Sequence, residues 1–228
     1  MVNNVAVTKS PAALLFDMDG TLIESHANVD RAWATWATMH GLDPEPVLAT
    51  IHGLPADVSV ARWFPDATPE EVATMAAQQL QLQYEDVEGI ETIEGVVELL
   101  AFLEEESWPW AIYTSADAEL ARVRLGAAGL QPPVLVTRDQ VDNGKPEPDG
   151  YLRAAQLLGV PSSDCIVIED TDVGLAAGRA AGMSTVGVRG ASGDLPVRSI
   201  SELHLWLAVK TAPADTQLPG LAFPFPTN

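Results

Sequence analysis

The stretch "LLFDMDGTLIES", residues 14–25, places two aspartates one residue apart at the end of an apolar run. Asp17 and Asp19 would repel each other and lose solvation where a buried strand ends, unless a cation lies between them. A simple turn is the alternative, because Asp and Gly both suit turn geometry. The choice between a turn and a site depends on what the rest of the chain places beside these two residues.

The charge balance of the chain argues against two classes of partner. Lys and Arg total 12 against 32 Asp and Glu among 228 residues, which gives a formal net charge of −20. Such a chain repels nucleic acid and anionic membranes, so we expect neither as a partner. Lysine occurs only at Lys9, Lys145 and Lys210, which makes Lys145 conspicuous in the middle of the chain.

Cysteine content and hydropathy indicate the compartment. The single cysteine, Cys165, excludes an internal disulfide and any cysteine-based zinc site. The N-terminal residues show no signal-peptide pattern, and no apolar run reaches the roughly 18 residues of a membrane span. We therefore expect a cytoplasmic protein.

Short apolar runs alternate with helical patterns over most of the chain. The runs are continuous, as in strands that are buried on both faces, and they cover residues 12–16, 110–114, 133–137, 165–169 and 184–188. The helical patterns between them cover residues 95–106, 116–129, 148–159 and 172–182. This order predicts an α/β fold, a Rossmann-like three-layer arrangement with a doubly wound parallel sheet.

Residues 25–91 break this rhythm with four helical patterns and no strand pattern. Thr68, directly before a proline, is typical of a helix start. We therefore predict a core domain formed by residues 1–24 and 92–210, with an inserted all-helical cap domain between them. The last residues, 211–228, are rich in proline and lack periodicity, which predicts a tail.

Chemically active side chains follow three of the predicted strands, and a lysine lies in the loop before the last of these. They are, in chain order, Asp17, Asp19, Thr114, Ser115, Lys145, Glu169 and Asp170. The carboxyl ends of the strands in an open parallel sheet form its ligand crevice. We therefore expect acids, hydroxyls and one ammonium group to converge at one edge of the sheet.

This set of groups suits phosphoryl transfer. The carboxylates of Asp17 and Asp170, with the backbone carbonyl of Asp19, offer the oxygen ligands that Mg²⁺ prefers. Lys145 and the cation would offset the charge of a phosphoryl group, and Thr114 would hold its oxygens. Asp17 would attack phosphorus to form an aspartyl-phosphate, while Asp19 would act first as a general acid and then as a general base.

The motifs "FDMDGT", "YTS", "GKPEPDGY" and "IEDTDVGLAAGRAAGM" occur in this order within residues 12–190. As a set they resemble the four motifs of the haloacid dehalogenase superfamily, and the helical insert resembles the superfamily's small four-helix cap. The resemblance implies these roles: nucleophile for Asp17, general acid and base for Asp19, phosphate binding for Thr114, charge balance for Lys145, and metal binding for Glu169 and Asp170. The implied cofactor is Mg²⁺, and Ser115 is expected beside the phosphate.

The superfamily contains several chemistries, so the fold does not settle the reaction. Asp19 disfavours dehalogenation, because dehalogenase members usually lack this second aspartate. Residues 25–91 contain no lysine, which excludes Schiff-base hydrolysis of phosphonoacetaldehyde. A hexose-phosphate mutase similar to β-phosphoglucomutase stays the alternative, although Ala56 and Val29 stand where such mutases place an arginine and a histidine. A catalytically idle binding protein on this fold is a third hypothesis.

The sequence thus predicts a Mg²⁺-dependent phosphatase of small phosphate monoesters. The cap segment resembles the branch that acts on sugar and polyol phosphates, such as hexose phosphates or glycerol 3-phosphate. Candidate substrate contacts in and near the cap are Glu24, His52, Gly53 and Arg62, although helix capping by His52 and a solvated charge at Arg62 are equally simple interpretations. With a cap of this size, we expect a monomer.

Overall fold

The structure, a computed structural model, describes residues 11–51, 55–195 and 197–211. The predicted tail, residues 211–228, therefore lies outside the described residues except for Thr211. The same holds for two of the candidate cap residues, His52 and Gly53.

Seven strands are present in the described residues. They are β1 (Ala13–Phe16), β2 (Ile23–Glu24), β3 (Glu91–Thr92), β4 (Trp110–Tyr113), β5 (Leu135–Val136), β6 (Cys165–Glu169) and β7 (Ser184–Gly187). Five of them form a sheet in the order β5-β4-β1-β6-β7, in which every neighbouring pair is parallel. This confirms the predicted Rossmann-like, doubly wound sheet.

The strands at the centre of the sheet explain why the apolar runs are continuous. Every residue of β1, β4 and β6 is buried, because the sheet is covered on both faces. The run at 133–137 shortens to Leu135–Val136, since the preceding prolines lack the N–H groups that a strand donates. The strands β2 and β3 form a separate two-stranded sheet. The sequence did not indicate them, because a strand of two residues is too short to show an alternation of apolar and polar residues.

Nine α-helices accompany these strands in the described part of the chain. They are α1 (His26–Met39), α2 (Pro44–Ile51), α3 (Ala56–Trp63), α4 (Pro69–Glu85), α5 (Val96–Glu105), α6 (Ala118–Ala127), α7 (Asp149–Leu158), α8 (Asp172–Ala180) and α9 (Ile200–Thr211). Within the residues described, none of the helices is both long enough and apolar enough to cross a membrane.

The chain divides into two compact units. The first unit contains the five-stranded sheet and is formed by the described residues up to 23, residues 92–118 and the described residues from 131 onward. The second unit is formed by the described residues of 24–91 and by residues 119–130. Most of α6 therefore groups with the four helices between β2 and β3. The exact bounds of a cap domain, 25–91, stay a prediction.

The second unit has its own apolar core. Trp33 and Trp36 meet edge to face with ring centroids 5.1 Å apart, and both pack with Val47, Ile51 and Val60. The Trp36 indole N–H donates to a backbone carbonyl of α4, so its one polar atom is satisfied inside the core. These tryptophans are therefore structural residues of the helical unit.

Helix α4 begins at a complete capping box. The Thr68 hydroxyl accepts from the Glu71 backbone N–H at 3.3 Å, and the Glu71 carboxylate accepts from the Thr68 N–H at 2.7 Å. Two of the N–H groups that a helix start leaves unpaired are satisfied in this way. The predicted helix start at Thr68 is confirmed.

The substitution Thr68→Ala removes this cap and should lower the free energy of unfolding by about 1 kcal/mol. The matched control is Thr74→Ala, because the Thr74 hydroxyl bonds only inside the same helix, to the Glu70 carbonyl at 2.9 Å. Since Ala is the better helix former, the control should leave stability unchanged or raise it. Urea unfolding followed by circular dichroism measures both, and equal effects would contradict the capping role.

Candidate active site

The site is built where three neighbouring strands end. Phe16, the last residue of β1, pairs in register with Ile112 of β4 and Ile168 of β6. The Asp17 N–H extends the ladder by donating to the Ile168 carbonyl at 2.9 Å. This register brings Asp17 level with the end of β4 and with Glu169, as the strand-end argument predicts.

Lys145 links two of these strand ends. Its ammonium donates to Asp17 Oδ1 and to Glu169 Oε1, although Asp17 is 128 residues away along the chain. All three side chains are at least nine-tenths buried. Burial alone would lower the pKa of Lys145, but Asp17 and Glu169 outweigh burial and raise that pKa. Lys145 is therefore a permanent positive charge at this edge of the sheet.

The loop that carries Lys145 is held by Arg138. The Arg138 guanidinium donates to the backbone carbonyls of Val141 at 2.8 Å and Asp142 at 3.4 Å. Its side chain also lies against Gly144, where an added Cβ would come within 2.7 Å of the Arg138 Nε. Sequence reasoning missed this residue, since nothing in the order of residues shows which carbonyls a guanidinium reaches.

Glu169 is held from four directions. Its Oε1 accepts from Lys145 at 2.5 Å and from the Tyr151 hydroxyl at 2.9 Å. Its Oε2 accepts from the Thr171 hydroxyl at 3.0 Å and the Thr171 N–H at 3.3 Å. Gly174 in α8 leaves the necessary space, because an ideal Cβ there would lie 1.8 Å from Oε1. Tyr151 and Gly174 occur inside the recognised motifs, but the motifs gave no indication of these contacts.

Three carboxylates of the site form a potential metal centre. Asp17, Glu169 and Asp170 each offer one oxygen, and these oxygens lie within 4.8 Å of one another. Burial, with Glu169 and Asp170, raises the pKa of Asp17 well above its usual range, against the opposing effect of Lys145. A divalent cation would offset this excess of negative charge, so the oxygen donors present fit such an ion.

The glycine turn after β1 contains Asp19 and lies against Asp170, which follows β6. Gly20 has a φ of +81° and lies against Asp170, so that an ideal Cβ there would meet Asp170 Oδ2 at 2.1 Å. Asp19 is half-buried two residues beyond Asp17, and its carboxylate is not part of the three-acid cluster. This placement agrees with a role for Asp19 other than side-chain metal binding.

Thr114 and Ser115 directly follow β4, and their assignment to phosphate binding stays a prediction. Thr114 is buried, its N–H donates to the Val136 carbonyl, and its hydroxyl oxygen accepts from the Ala116 N–H at 3.0 Å. Ser115, between them, is exposed. Because a hydroxyl can donate as well as accept, this hydrogen bond is compatible with a further bond from Thr114 to a phosphate oxygen.

Of the candidate cap residues, Glu24 and Arg62 lie in the second unit, and His52 and Gly53 lie outside the described residues. Glu24 Oε1 accepts from the His26 backbone N–H at 3.0 Å and lies 2.7 Å from His26 Nδ1, so this carboxylate is engaged locally. Arg62 is exposed in the last turn of α3. The assignment of Glu24, His52, Gly53 and Arg62 to substrate contacts stays a prediction.

Known proteins resemble this chain over most of its length. The haloacid dehalogenase-like hydrolase sequence model matches residues 11–182. Hexitol phosphatase A of Escherichia coli is 43% identical over 80% of this chain and 84% of its own. Validoxylamine A 7'-phosphate phosphatase of Streptomyces hygroscopicus subsp. limoneus is 36% identical over 76% of this chain and 84% of its own.

A solved structure supports the same assignment. The β-phosphoglucomutase of Clostridium difficile superposes with a TM-score of 0.71 at 25% identity, over 85% of this chain and 93% of its own. Its fold agrees with the sheet described above, and the sequence match covers all four motifs except Met183, the last residue of the fourth. The chain therefore belongs to the haloacid dehalogenase-like hydrolases.

Proposed function

We propose that the chain is a Mg²⁺-dependent phosphatase that hydrolyses small sugar or polyol phosphates through an aspartyl-phosphate. Phosphatase activity itself follows from the family and from the phosphatases that resemble the chain. The observation that carries the mechanism is the buried contact of Lys145 with Asp17 and Glu169, beside Asp170. The substrate class is supported by the relatives named for hexitol and validoxylamine phosphates.

In the first step a carboxylate oxygen of Asp17 forms a bond to phosphorus while the bond from phosphorus to the substrate oxygen breaks. Asp19 donates a proton to that departing oxygen, which leaves as an alcohol. Asp19 then removes a proton from water, the water oxygen attacks phosphorus, and inorganic phosphate departs from Asp17. Lys145 balances the negative charge that gathers on the phosphoryl oxygens, and the Thr114 hydroxyl donates to one of them.

A divalent cation would be held by the carboxylates of Asp17 and Asp170 and by the Asp19 carbonyl. Bound there, Mg²⁺ supplies positive charge to the phosphoryl oxygens. Glu169 would act on the cation through its negative charge rather than as a direct ligand, because the four hydrogen bonds to its carboxylate already fill the roughly four acceptor positions of that group.

A hexose-phosphate mutase is less well supported. The similarity to a β-phosphoglucomutase structure favours it, but both of the named relatives are phosphatases. Ala56 and Val29 also bring no charge to the positions where mutases place an arginine and a histidine. The family and the phosphatase relatives set aside the idle binding protein. Cytoplasmic location and a monomeric state stay predictions.

The substitution Asp17→Asn should abolish phosphate release, because the amide is a far weaker nucleophile than a carboxylate. We expect a loss of more than about 1,000-fold in kcat. The assay follows phosphate release from para-nitrophenyl phosphate, and chelation of divalent cations should have the same effect on the unaltered protein. The control is Asp66→Asn, which changes an exposed aspartate. Retained Mg²⁺-dependent turnover in Asp17→Asn would refute the nucleophile assignment.

The substrate class is tested by comparing phosphate release across hexitol phosphates, hexose phosphates and glycerol 3-phosphate. We expect the highest kcat/KM with a polyol or sugar phosphate rather than with a nucleotide or a phosphoprotein peptide. Glucose 1-phosphate separates the two enzymes: a phosphatase releases phosphate, whereas a mutase yields glucose 6-phosphate. Isomerisation that outruns phosphate release would favour the mutase.

The substitution Gly174→Ala should displace the Glu169 carboxylate and with it the Lys145 ammonium. We expect kcat to fall by about tenfold or more, since the new methyl group would overlap Glu169 Oε1. The matched control is Gly126→Ala in α6, where nothing lies within 4 Å of the added carbon. The control should keep its activity and gain about 1 kcal/mol of stability from the better helix former. Equal activities of the two variants would show that Glu169 can move without consequence.

A further inference from the structure

Tyr151 touches the catalytic groups but has no role in the steps above. It lies in the first turn of α7, and its side chain is completely buried. Its hydroxyl donates to Glu169 Oε1 at 2.9 Å, and its ring centroid lies 5.5 Å from Lys145 Nζ. One side chain therefore contacts both the ammonium and the carboxylate that holds it.

A second tyrosine completes this arrangement. The Tyr113 ring meets the Tyr151 ring edge to face, with centroids 5.0 Å apart, and its own centroid lies 5.0 Å from Lys145 Nζ. Both distances to the ammonium fall within the range of attraction between a cation and an aromatic ring. The two aromatic rings therefore contact the Lys145 ammonium, which donates its hydrogen bonds to the carboxylates of Asp17 and Glu169.

The hydrogen bond from Tyr151 also determines how many acceptor positions of the Glu169 carboxylate stay free for other partners. An ionised carboxylate accepts about four hydrogen bonds, and Glu169 receives four, one of them from Tyr151. Of these donors, Lys145 carries the charge of the site and Thr171 caps α8. Tyr151 is thus the donor that can be removed without changing a charge or a helix cap.

We propose that Tyr151 is a positioning residue that reserves Glu169 for Lys145 and keeps it out of direct contact with the divalent cation. This inference rests on the proposed metal site of the proposed function. Without the Tyr151 hydroxyl, the Glu169 carboxylate has one unfilled acceptor position, and one of its oxygens lies within 4.8 Å of carboxylate oxygens of Asp17 and Asp170. An extra carboxylate oxygen favours Ca²⁺, which takes six to eight oxygen ligands, over Mg²⁺, which keeps an octahedron rich in water.

The test is the substitution Tyr151→Phe in the full chain, which keeps the ring and removes only the hydroxyl. Calorimetry in the absence of substrate measures the affinities for Mg²⁺ and for Ca²⁺. We expect the ratio of Ca²⁺ affinity to Mg²⁺ affinity to rise by about fivefold or more. With substrate, kcat should fall about tenfold or more while KM stays within about twofold, because the lost bond positions Lys145 rather than the substrate's remote groups.

The matched control is Tyr84→Phe, which removes the same hydroxyl from α4 in the other unit. It should change neither the ratio of metal affinities nor kcat. Melting temperatures show whether each variant is folded at the assay temperature. We expect both to be folded, because each substitution removes only one hydroxyl group.

The outcomes separate this inference from the proposed function. An unchanged ratio of Ca²⁺ to Mg²⁺ affinity in Tyr151→Phe, or an unchanged kcat, would reduce Tyr151 to a packing residue and overturn the proposal. Failure of the unaltered protein to release phosphate from any ester would overturn the proposed function instead. The metal-affinity measurement needs no substrate, so it decides the role of Tyr151 in either case.

Discussion

A single buried ammonium joins the parts of this active site. Lys145 donates to Asp17 and Glu169, so it ties the end of β1 to the end of β6 through a loop that Arg138 holds in place. Removing one partner from a buried ion pair is strongly destabilising, because a charge then stays behind without compensation. The nucleophile, the charge-balancing lysine and the metal-binding acids therefore form one electrostatic unit rather than a set of independent residues.

Much of the sheet was predictable, because a strand covered on both faces has to be apolar at every position. The run 165–169 coincides with β6, and the run 12–16 differs from β1 by one residue. The convergence of Asp17, Glu169 and Asp170 followed from the rule that parallel strands end at one edge. The contact between Lys145 and Asp17 spans 128 residues, and it was expected because the loop of Lys145 comes before the strand that ends at Glu169; the resemblance added the role of charge balance.

The sequence alone did not predict which side chains approach one another closely in the folded protein. The phenol of Tyr151 on Glu169 and the gap at Gly174 depend on how α7 and α8 pack against the sheet, which no periodicity encodes. The membership of α6 in the second unit is of the same kind, because a helix pattern does not tell which neighbour it packs against. The fold also hosts more than one reaction, so the difference between a phosphatase and a mutase lies outside the shared strand-end groups.

The ring of Tyr113 fills the space next to Gly150, which lies 37 residues further along the printed sequence. A side chain at Gly150 would collide with the Tyr113 ring at 2.1 Å, so glycine is accepted inside a helix there at a cost in backbone entropy. Among relatives, positions 113 and 150 should covary in size: a lineage that replaces the aromatic ring by a small residue is free to acquire a larger one in α7. Enlargement at position 150 alone is blocked, so it is expected only after a smaller residue has appeared at position 113.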